Sequence, residues 1–192
     1  MFLHFATFYT GPEEGPADDT EVQSLVRAAR VGNGRAARRL YSLHVARVYR
    51  AVRGLCASEA EAEDVTQDAF IRALGSLVKY EPRDGVPFIA WVLSIAMNLA
   101  RKSKVRSDRH VEEAAPVEST SSLHDADVLL KKKLLVALAE LPERDRKIVS
   151  LRYGAELSAE EVAELTGVSA ANVRKICERQ REVLMKRLEG EP

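Results

Sequence analysis

Apolar residues in this chain recur every three or four positions, and no stretch alternates apolar with polar, so the pattern predicts helices and no strands. Thr20 with Gln23 predicts a capping box for a first helix reaching about Arg30, which Gly32-Asn33-Gly34 breaks. A second helix covers roughly residues 35–55, with Leu40, Leu43, His44, Val48 and Val52 on one side and arginines on the other. Ser58 with Glu61 caps a third, roughly residues 59–79, whose core face is Val65, Ala69, Phe70, Ala73, Leu74 and Leu77. The segment Glu81–Pro87 is a loop, punctuated by Pro and Gly at both ends. A fourth helix follows over roughly residues 87–106. Its buried stripe is Phe88, Trp91, Val92, Ile95 and Leu99, leaving Ser94, Met97, Asn98, Arg101 and Lys104 on the remaining surface. Four helices around one core make a domain of residues 20–107.

The periodicity then stops. Residues 108–127 hold Pro116, a Ser/Thr cluster and several acids but no apolar face, the pattern of a flexible acidic linker. A second domain spans residues 128–192. Leu130, Leu134, Leu138 and Leu141 give one helix; Pro142 at the first turn opens another, which Gly154 closes.

The remaining string LSAEEVAELTGVSAANVRKICERQREVL has the form of a helix-turn-helix. Ser158 caps its first helix, with Glu161 completing a capping box and Leu157 facing Val162 as a staple. Thr166-Gly167 makes the turn, where glycine takes the left-handed conformation a sharp reversal demands. Ser169 caps the second helix, and Val168 staples to Val173. Val162, Leu165, Val173 and Ile176 lock the two helices, which turns Ala171, Asn172, Arg174, Lys175, Glu178 and Arg179 outward. Six bases and two acids lie between Asn172 and Arg187. Bases suit phosphates, Asn and Arg suit base edges, and the free amides of the helix start accept phosphate. The expected fold is all-α: two small helical domains joined by a flexible acidic linker.

Charge sharpens this. The 29 Lys+Arg and 29 Asp+Glu cancel overall, which at first argues against a nucleic-acid partner. Split along the chain, residues 1–20 carry −4, residues 21–110 carry +7, residues 111–127 carry −5 and residues 128–192 carry +2. Two basic blocks alternate with two acidic ones, an asymmetry suited to nucleic acid. Residues 1–19 are expected to be a disordered leader; Met1–Thr10 is apolar and aromatic but lacks the basic start and cleavage site of a signal peptide. Cys56 and Cys177 form no CxxC pair and the four His are scattered, so neither a zinc site nor a disulfide scaffold is indicated. Two lone thiols suit a reducing cytoplasm. The longest uncharged run, Val86–Ala100, contains Pro87, Ser94 and Asn98 and is too short for a bilayer span, so no membrane insertion is expected. No cofactor motif is present.

Two blocks of the chain carry a resemblance. The first holds ARRLYSLHVARVYRAV, ASEAEAEDVTQDAFIRAL and PFIAWVLSIAMNLAR; the second is ALAELPERDRKIVSLRYGAELSAEEVAELTGVSAANVRKI. In this order, with the FxxWxxxIAxNLA pattern of Phe88, Trp91, Ile95, Ala96, Asn98, Leu99 and Ala100, the chain resembles a bacterial RNA polymerase sigma factor of the extracytoplasmic-function type within the sigma-70 family. The resemblance covers about residues 20–190. It implies a four-helix region 2 that binds the β′ clamp of core RNA polymerase and opens the minus-ten promoter element. It also implies a region 4 that sits on the β flap and reads the minus-thirty-five element of promoter DNA, an anti-sigma factor as a further partner, and no enzymatic activity of its own.

Carried over residue by residue, the resemblance assigns Asp64, Gln67 and Asp68 to core-polymerase binding, and their spacing puts them on one helix face. The plain alternative for these acids is a solvated face, with Asp68 pairing to Arg72 at i,i+4. The Glu81–Pro87 loop matches the segment that captures a flipped base, for which Asp84, Gly85 and Val86 would supply hydrogen-bonding groups. Trp91, Asn98, Arg101 and Lys104 would meet the minus-ten strand, although the spacing of Trp91 with Phe88 and Ile95 places it in the core first. In region 4 the minus-thirty-five contacts fall to Ser169, Ala171, Asn172, Arg174, Lys175, Glu178 and Arg179. Ser94, Met97 and the Ala170-Ala171-Asn172 run depart from the usual pattern, so promoter specificity does not transfer.

The two promoter elements lie roughly 68 Å apart along DNA. A relaxed linker of this length spans about 25 Å and a fully extended one about 66–72 Å, so the linker must stretch. The competing readings are a stand-alone helix-turn-helix regulator dimerising through residues 20–110, and an interaction module without DNA binding. The first leaves the basic, Trp-bearing fourth helix and the acidic linker unexplained; the second leaves the basic recognition helix unexplained.

Overall fold

Eight α-helices carry residues 18–107 and 125–189, the parts of the chain that the computed structural model describes. No strand is present among them; Arg83 and Val86 form one isolated bridge. Residues 1–17 of the expected leader and residues 108–124 of the expected linker lie outside the described residues; Asp18 and Asp19, the last two residues of the expected leader, belong to the start of the first helix.

The first four helices form one unit. Helix α1 (Asp19–Arg30) starts earlier than the Thr20 cap anticipates: Asp18 is the N-cap, and its carboxylate accepts the Glu21 N–H at 2.7 Å. Asp is the better capping acceptor, and starting there adds Asp19 to the acidic first turn at the positive end of the helix. At the other end, Arg30 donates from Nε to the Leu77 carbonyl at 3.0 Å, and through Nη2 to the Tyr80 carbonyl, while its guanidinium lies over the Tyr80 ring. One arginine thus ties the end of α1 to the segment after α3.

Helices α2 (Gly34–Arg53) and α3 (Glu59–Gly75) bury the faces their periodicity assigns: Leu40, His44, Val48 and Val52 in α2, and Val65, Ala69, Phe70 and Ala73 in α3. Ser58 caps α3 as expected, and a 3-10 turn, Leu77–Lys79, ends it. Helix α4 (Phe88–Ser107) differs from its expected stripe. Ile89, Ala90, Leu93, Ala96, Met97 and Ala100 are buried, whereas Trp91, Ile95 and Leu99 are only half-buried. A helix packed on α2 and α3, and touched by α7 of the second unit, has apolar residues on more than one side, so a single-stripe reading fails. Met97 therefore does not interrupt an exposed face; it is core.

In the second unit, α5 (Asp125–Ala139) begins inside the stretch read as linker, and Leu130 is exposed rather than part of its core face. Pro142 caps α6 (Glu143–Val149) from outside, with extended backbone (ψ 137°), instead of sitting in its first turn. Helix α6 then widens into a π turn, Ser150–Gly154, marked by the Ala155 N–H reaching back to Ser150 O at 3.2 Å. Helices α7 (Ala159–Thr166) and α8 (Ala170–Glu189) form the helix-turn-helix. Both hydrogen bonds of the Ser158–Glu161 capping box are made, Gly167 turns at φ +69°, and Ser169 Oγ accepts the Asn172 N–H at 3.4 Å.

The π turn is where the two units meet. It packs on α2, and Leu151, Ala155 and Leu157 belong to the same continuous apolar core as Val48, Ala51 and Val52. Arg47 Nε donates to Ala155 O at 2.8 Å and Arg50 Nε to Gly154 O at 3.1 Å. Both arginines also approach the carboxylate of Glu156, a non-glycine residue at φ 58°.

Candidate nucleic-acid and polymerase interfaces

The basic helix α8 is the simplest of the three candidate surfaces. Val173, Ile176 and Cys177 are buried, and this fixes which side faces out. Ser169, Ala171, Asn172, Arg174, Lys175, Glu178 and Arg179 are all exposed. Two of their charged side chains already have partners. Arg174 pairs with Glu160 of α7. Backbone hydrogen bonding at the start of α7, reinforced by Arg174, holds the Glu160 carboxyl below its usual range. Arg179 Nη2 donates to the buried Asp145 carboxylate at 2.6 Å, where Gln180 Nε2 donates to the same oxygen at 2.6 Å. The spacing that turns Arg179 outward carries no sign of this, because Asp145 lies on α6, far back in sequence. Arg179 therefore has a structural task, neutralising a buried carboxylate, whatever else it touches.

The second surface gathers the loop before α4 and one side of that helix. Arg83 and Val86 close a tight turn, the Val86 N–H donating to Arg83 O at 3.1 Å, with Gly85 at φ +72°. Asp84 and Gly85 stand exposed at its tip, Val86 is half-buried, and Asn98 and Arg101 are exposed further along α4. The side chain of Lys104 lies outside the described residues. Trp91 is half-buried, its ring 5.0 Å from that of Tyr80 and 5.8 Å from that of Phe88. The indole is part of an aromatic cluster that supports the loop, and one side of it reaches solvent.

The third surface is on α3. Asp64, Gln67 and Asp68 are exposed on one face, and Asp68 pairs loosely with Arg72 at 4.0 Å. Ile71, exposed at 64%, continues this face at the i+7 position from Asp64. The acids alone do not disclose this apolar member of the face; its signal in the sequence is an isoleucine that falls off the core face of an amphipathic helix.

Neither thiol belongs to these surfaces. Burial pushes the Cys56 thiol up to about 12 and raises that of Cys177 as well. Among the described residues no cluster of His, Cys, Asp or Glu is placed to hold a metal, and no helix is long and apolar enough to cross a membrane.

Known proteins carry the same two blocks. The sigma-70 region 2 model matches residues 40–110, and the sigma-70 region 4 model matches residues 131–176. The RNA polymerase sigma factor CarQ of Myxococcus xanthus is 34% identical over 140 residues, 70% of this chain and 79% of CarQ. The chain belongs to the extracytoplasmic-function branch of the sigma-70 family. The ECF sigma factor BldN of Streptomyces coelicolor is 30% identical over 169 residues, which span 83% of this chain and 63% of BldN. SigW of Bacillus subtilis is 26% identical over 182 residues, 87% of this chain and 96% of SigW. Among solved structures, CnrH in complex with the cytosolic domain of CnrY superposes with a TM-score of 0.68 at 25% identity, covering 91% of this chain and all of that one. RpoE of Bartonella quintana, solved with the anti-sigma factor NepR, shares the fold at a TM-score of 0.61 and 21% identity over 79% of this chain and 96% of its own. Family membership makes the chain an RNA polymerase sigma factor, which directs transcription. It also favours that reading over a stand-alone regulator.

Proposed function

We propose that this sigma factor divides its work among the three surfaces. The face of α3 formed by Asp64, Gln67 and Asp68, extended by Ile71, binds the β′ clamp of core RNA polymerase. The turn carrying Asp84, Gly85 and Val86 takes a base flipped out of the minus-ten element. Trp91, Asn98, Arg101 and Lys104 hold the opened strand. Helix α8 enters the major groove at the minus-thirty-five element through Ser169, Ala171, Asn172, Lys175 and Glu178, with Arg174 and Arg179 adding positive charge at its edge. The second unit docks on the β flap. The observation that carries this reading is the one-sidedness of the first half of α8: Val173, Ile176 and Cys177 are buried, leaving a basic, Asn-bearing face in water. In this role the protein lends sequence specificity to the polymerase and performs no catalysis itself. It works in the cytoplasm, where an anti-sigma factor holds it until needed, as NepR is paired with RpoE.

The domains acting here begin at α1 and at α5, with residues 108–124 as the connector that lets them separate across roughly 68 Å of promoter. The test is transcription in vitro with core polymerase on a promoter library. Promoter-specific initiation is expected, and charge reversal at Arg174 and Lys175 should abolish it while core binding persists. Specific footprinting by the isolated protein, with no initiation from added core enzyme, would overturn the proposal and favour a stand-alone regulator.

A further inference from the structure

Beside the contact between the two units lies a cleft of about 290 Å³ that none of the three surfaces uses as such. Leu55, Met97 and Ala100 give it an apolar wall. Asn98 and Arg101 of α4 line one side, and Arg146 and Lys147 of α6 the other. Two separate units thus bring three cations to one small space, against a single lining acid, Glu143, which is itself engaged. Packing like charges together costs free energy unless an anion sits among them. Arg146 is also held in place by α5: its Nη1 donates to Ala139 O at 3.2 Å, and its Nε is shut off from solvent, so its other N–H groups are the ones an anion in the cleft would meet.

We infer that this cleft is a phosphate site spanning both units. Guanidinium groups recognise tetrahedral oxyanions through paired N–H donors, and an ammonium adds a point charge. The Asn98 amide supplies a further donor. The cleft lies at the small end of ligand pockets, so its occupant is a free phosphate compound no larger than a mononucleotide, or one phosphodiester of a nucleic-acid strand. A phosphate held here ties α4 to α6 and so strengthens the contact between the units. On the proposed function, it also competes with the minus-ten strand for Asn98 and Arg101.

Inorganic pyrophosphate is the probe, titrated into the full chain by calorimetry at fixed ionic strength. One saturable site per chain is expected, weakened at least tenfold by Arg146→Gln and by Lys147→Gln, and unchanged by Lys186→Gln at the far end of α8. Arg146 also ends α5, so a thermal melt without pyrophosphate accompanies each variant, and Lys147→Gln carries the test if Arg146→Gln fails to fold. A second arm titrates a short single-stranded oligodeoxynucleotide. If it displaces pyrophosphate and loses affinity in Lys147→Gln, the site stands and the natural phosphate is nucleic acid; if it does neither, the site stands and takes a free phosphate compound. Absence of saturable pyrophosphate binding, or equal binding by wild type and Lys147→Gln, overturns the inference. None of these readouts needs polymerase, so failure of promoter-specific initiation would be recognised separately.

Discussion

Gly154 rests directly on the backbone of Ala51: a Cβ built on the glycine would lie 2.9 Å from both the Cα and the N of Ala51. Real side chains do not approach backbone this closely, so the contact between the π turn and α2 exists only because residue 154 has no side chain. The same holds, more softly, at Gly54, where an added Cβ would meet Ser150 Oγ at 2.6 Å. Gly154→Leu should therefore force the units apart without unfolding either one. Small-angle scattering would show a larger radius of gyration, and helical content by circular dichroism would stay near that of wild type. Even Gly154→Ala should cost roughly 1–3 kcal/mol by overpacking. An unchanged scattering profile for Gly154→Leu would show that the units are not joined through this glycine.

The ion pair beside it has a different weight. Arg50 Nη2 lies 2.5 Å from a Glu156 carboxylate oxygen, but both side chains are well exposed. Exposed pairs contribute about 0–1 kcal/mol, whereas Arg47 and Arg50 also hydrogen-bond the carbonyls of Ala155 and Gly154 over a buried apolar contact. Glu156→Gln should accordingly leave the radius of gyration unchanged at low and at moderate salt. Opening of Glu156→Gln by itself would mean that charge, not packing, joins the units.

Arg179 and Asp145 set a trap for mutational tests of DNA binding. Removing Arg179 leaves the buried Asp145 carboxylate with only Gln180, at a cost of about 1–3 kcal/mol. Arg179→Ala should lower the denaturant midpoint as well as weaken DNA binding, and Asp145→Asn in the same chain should recover much of the stability. Lys175→Ala, whose side chain is exposed and ties down nothing comparable, should weaken DNA binding with an unchanged midpoint. A stable Arg179→Ala would show that Asp145 is satisfied without it.

Arg174 is engaged as well, by Glu160 across the turn of the helix-turn-helix. DNA phosphate must take Arg174 from that carboxylate or share it. Glu160→Gln should therefore raise affinity for nonspecific duplex at low salt, by a few-fold, and steepen the salt dependence as one more cation becomes available. Equal salt slopes for the two proteins would place Arg174 outside the DNA contact.

What the sequence discloses and what it conceals separate along physical lines. Caps and turns are local, so Ser58, the Ser158–Glu161 box, Gly167 and Ser169 were readable from a few residues each. The outward face of α8 followed from its own periodicity. Helix α4 was misread in part because its neighbours contact it on several sides, and periodicity assumes one buried face. The Arg179–Asp145 pair, the seat of Gly154 on Ala51 and the cleft between α4 and α6 join residues distant in the chain. No spacing rule reaches them. Asp18 displaced Thr20 as a cap because two acceptable caps stood close together, and Asp is the better acceptor of the two.

His44 gives the fold a pH dependence that its surface would not. It is buried in α2 with its ring 5.7 Å from that of Phe88, and neither ring nitrogen finds a partner in the protein. Burial, with a smaller contribution from the Arg47 charge, lowers its pKa from 6.5 to about 4. The folded protein thus keeps the imidazole neutral over a range in which the unfolded chain binds a proton. Stability from this residue is fully present above pH 6.5 and declines as pH falls toward 4. The shift corresponds to roughly 3 kcal/mol lost across the window. His44→Leu removes the titration and the unpartnered N–H together while keeping an apolar side chain in the core. Urea unfolding at a series of pH values should show a shallower decline for His44→Leu than for wild type, with the two curves diverging below pH 6.5. Parallel curves would mean that His44 gains a partner or solvent when it is charged, and that the acid sensitivity of the fold lies with its carboxylates.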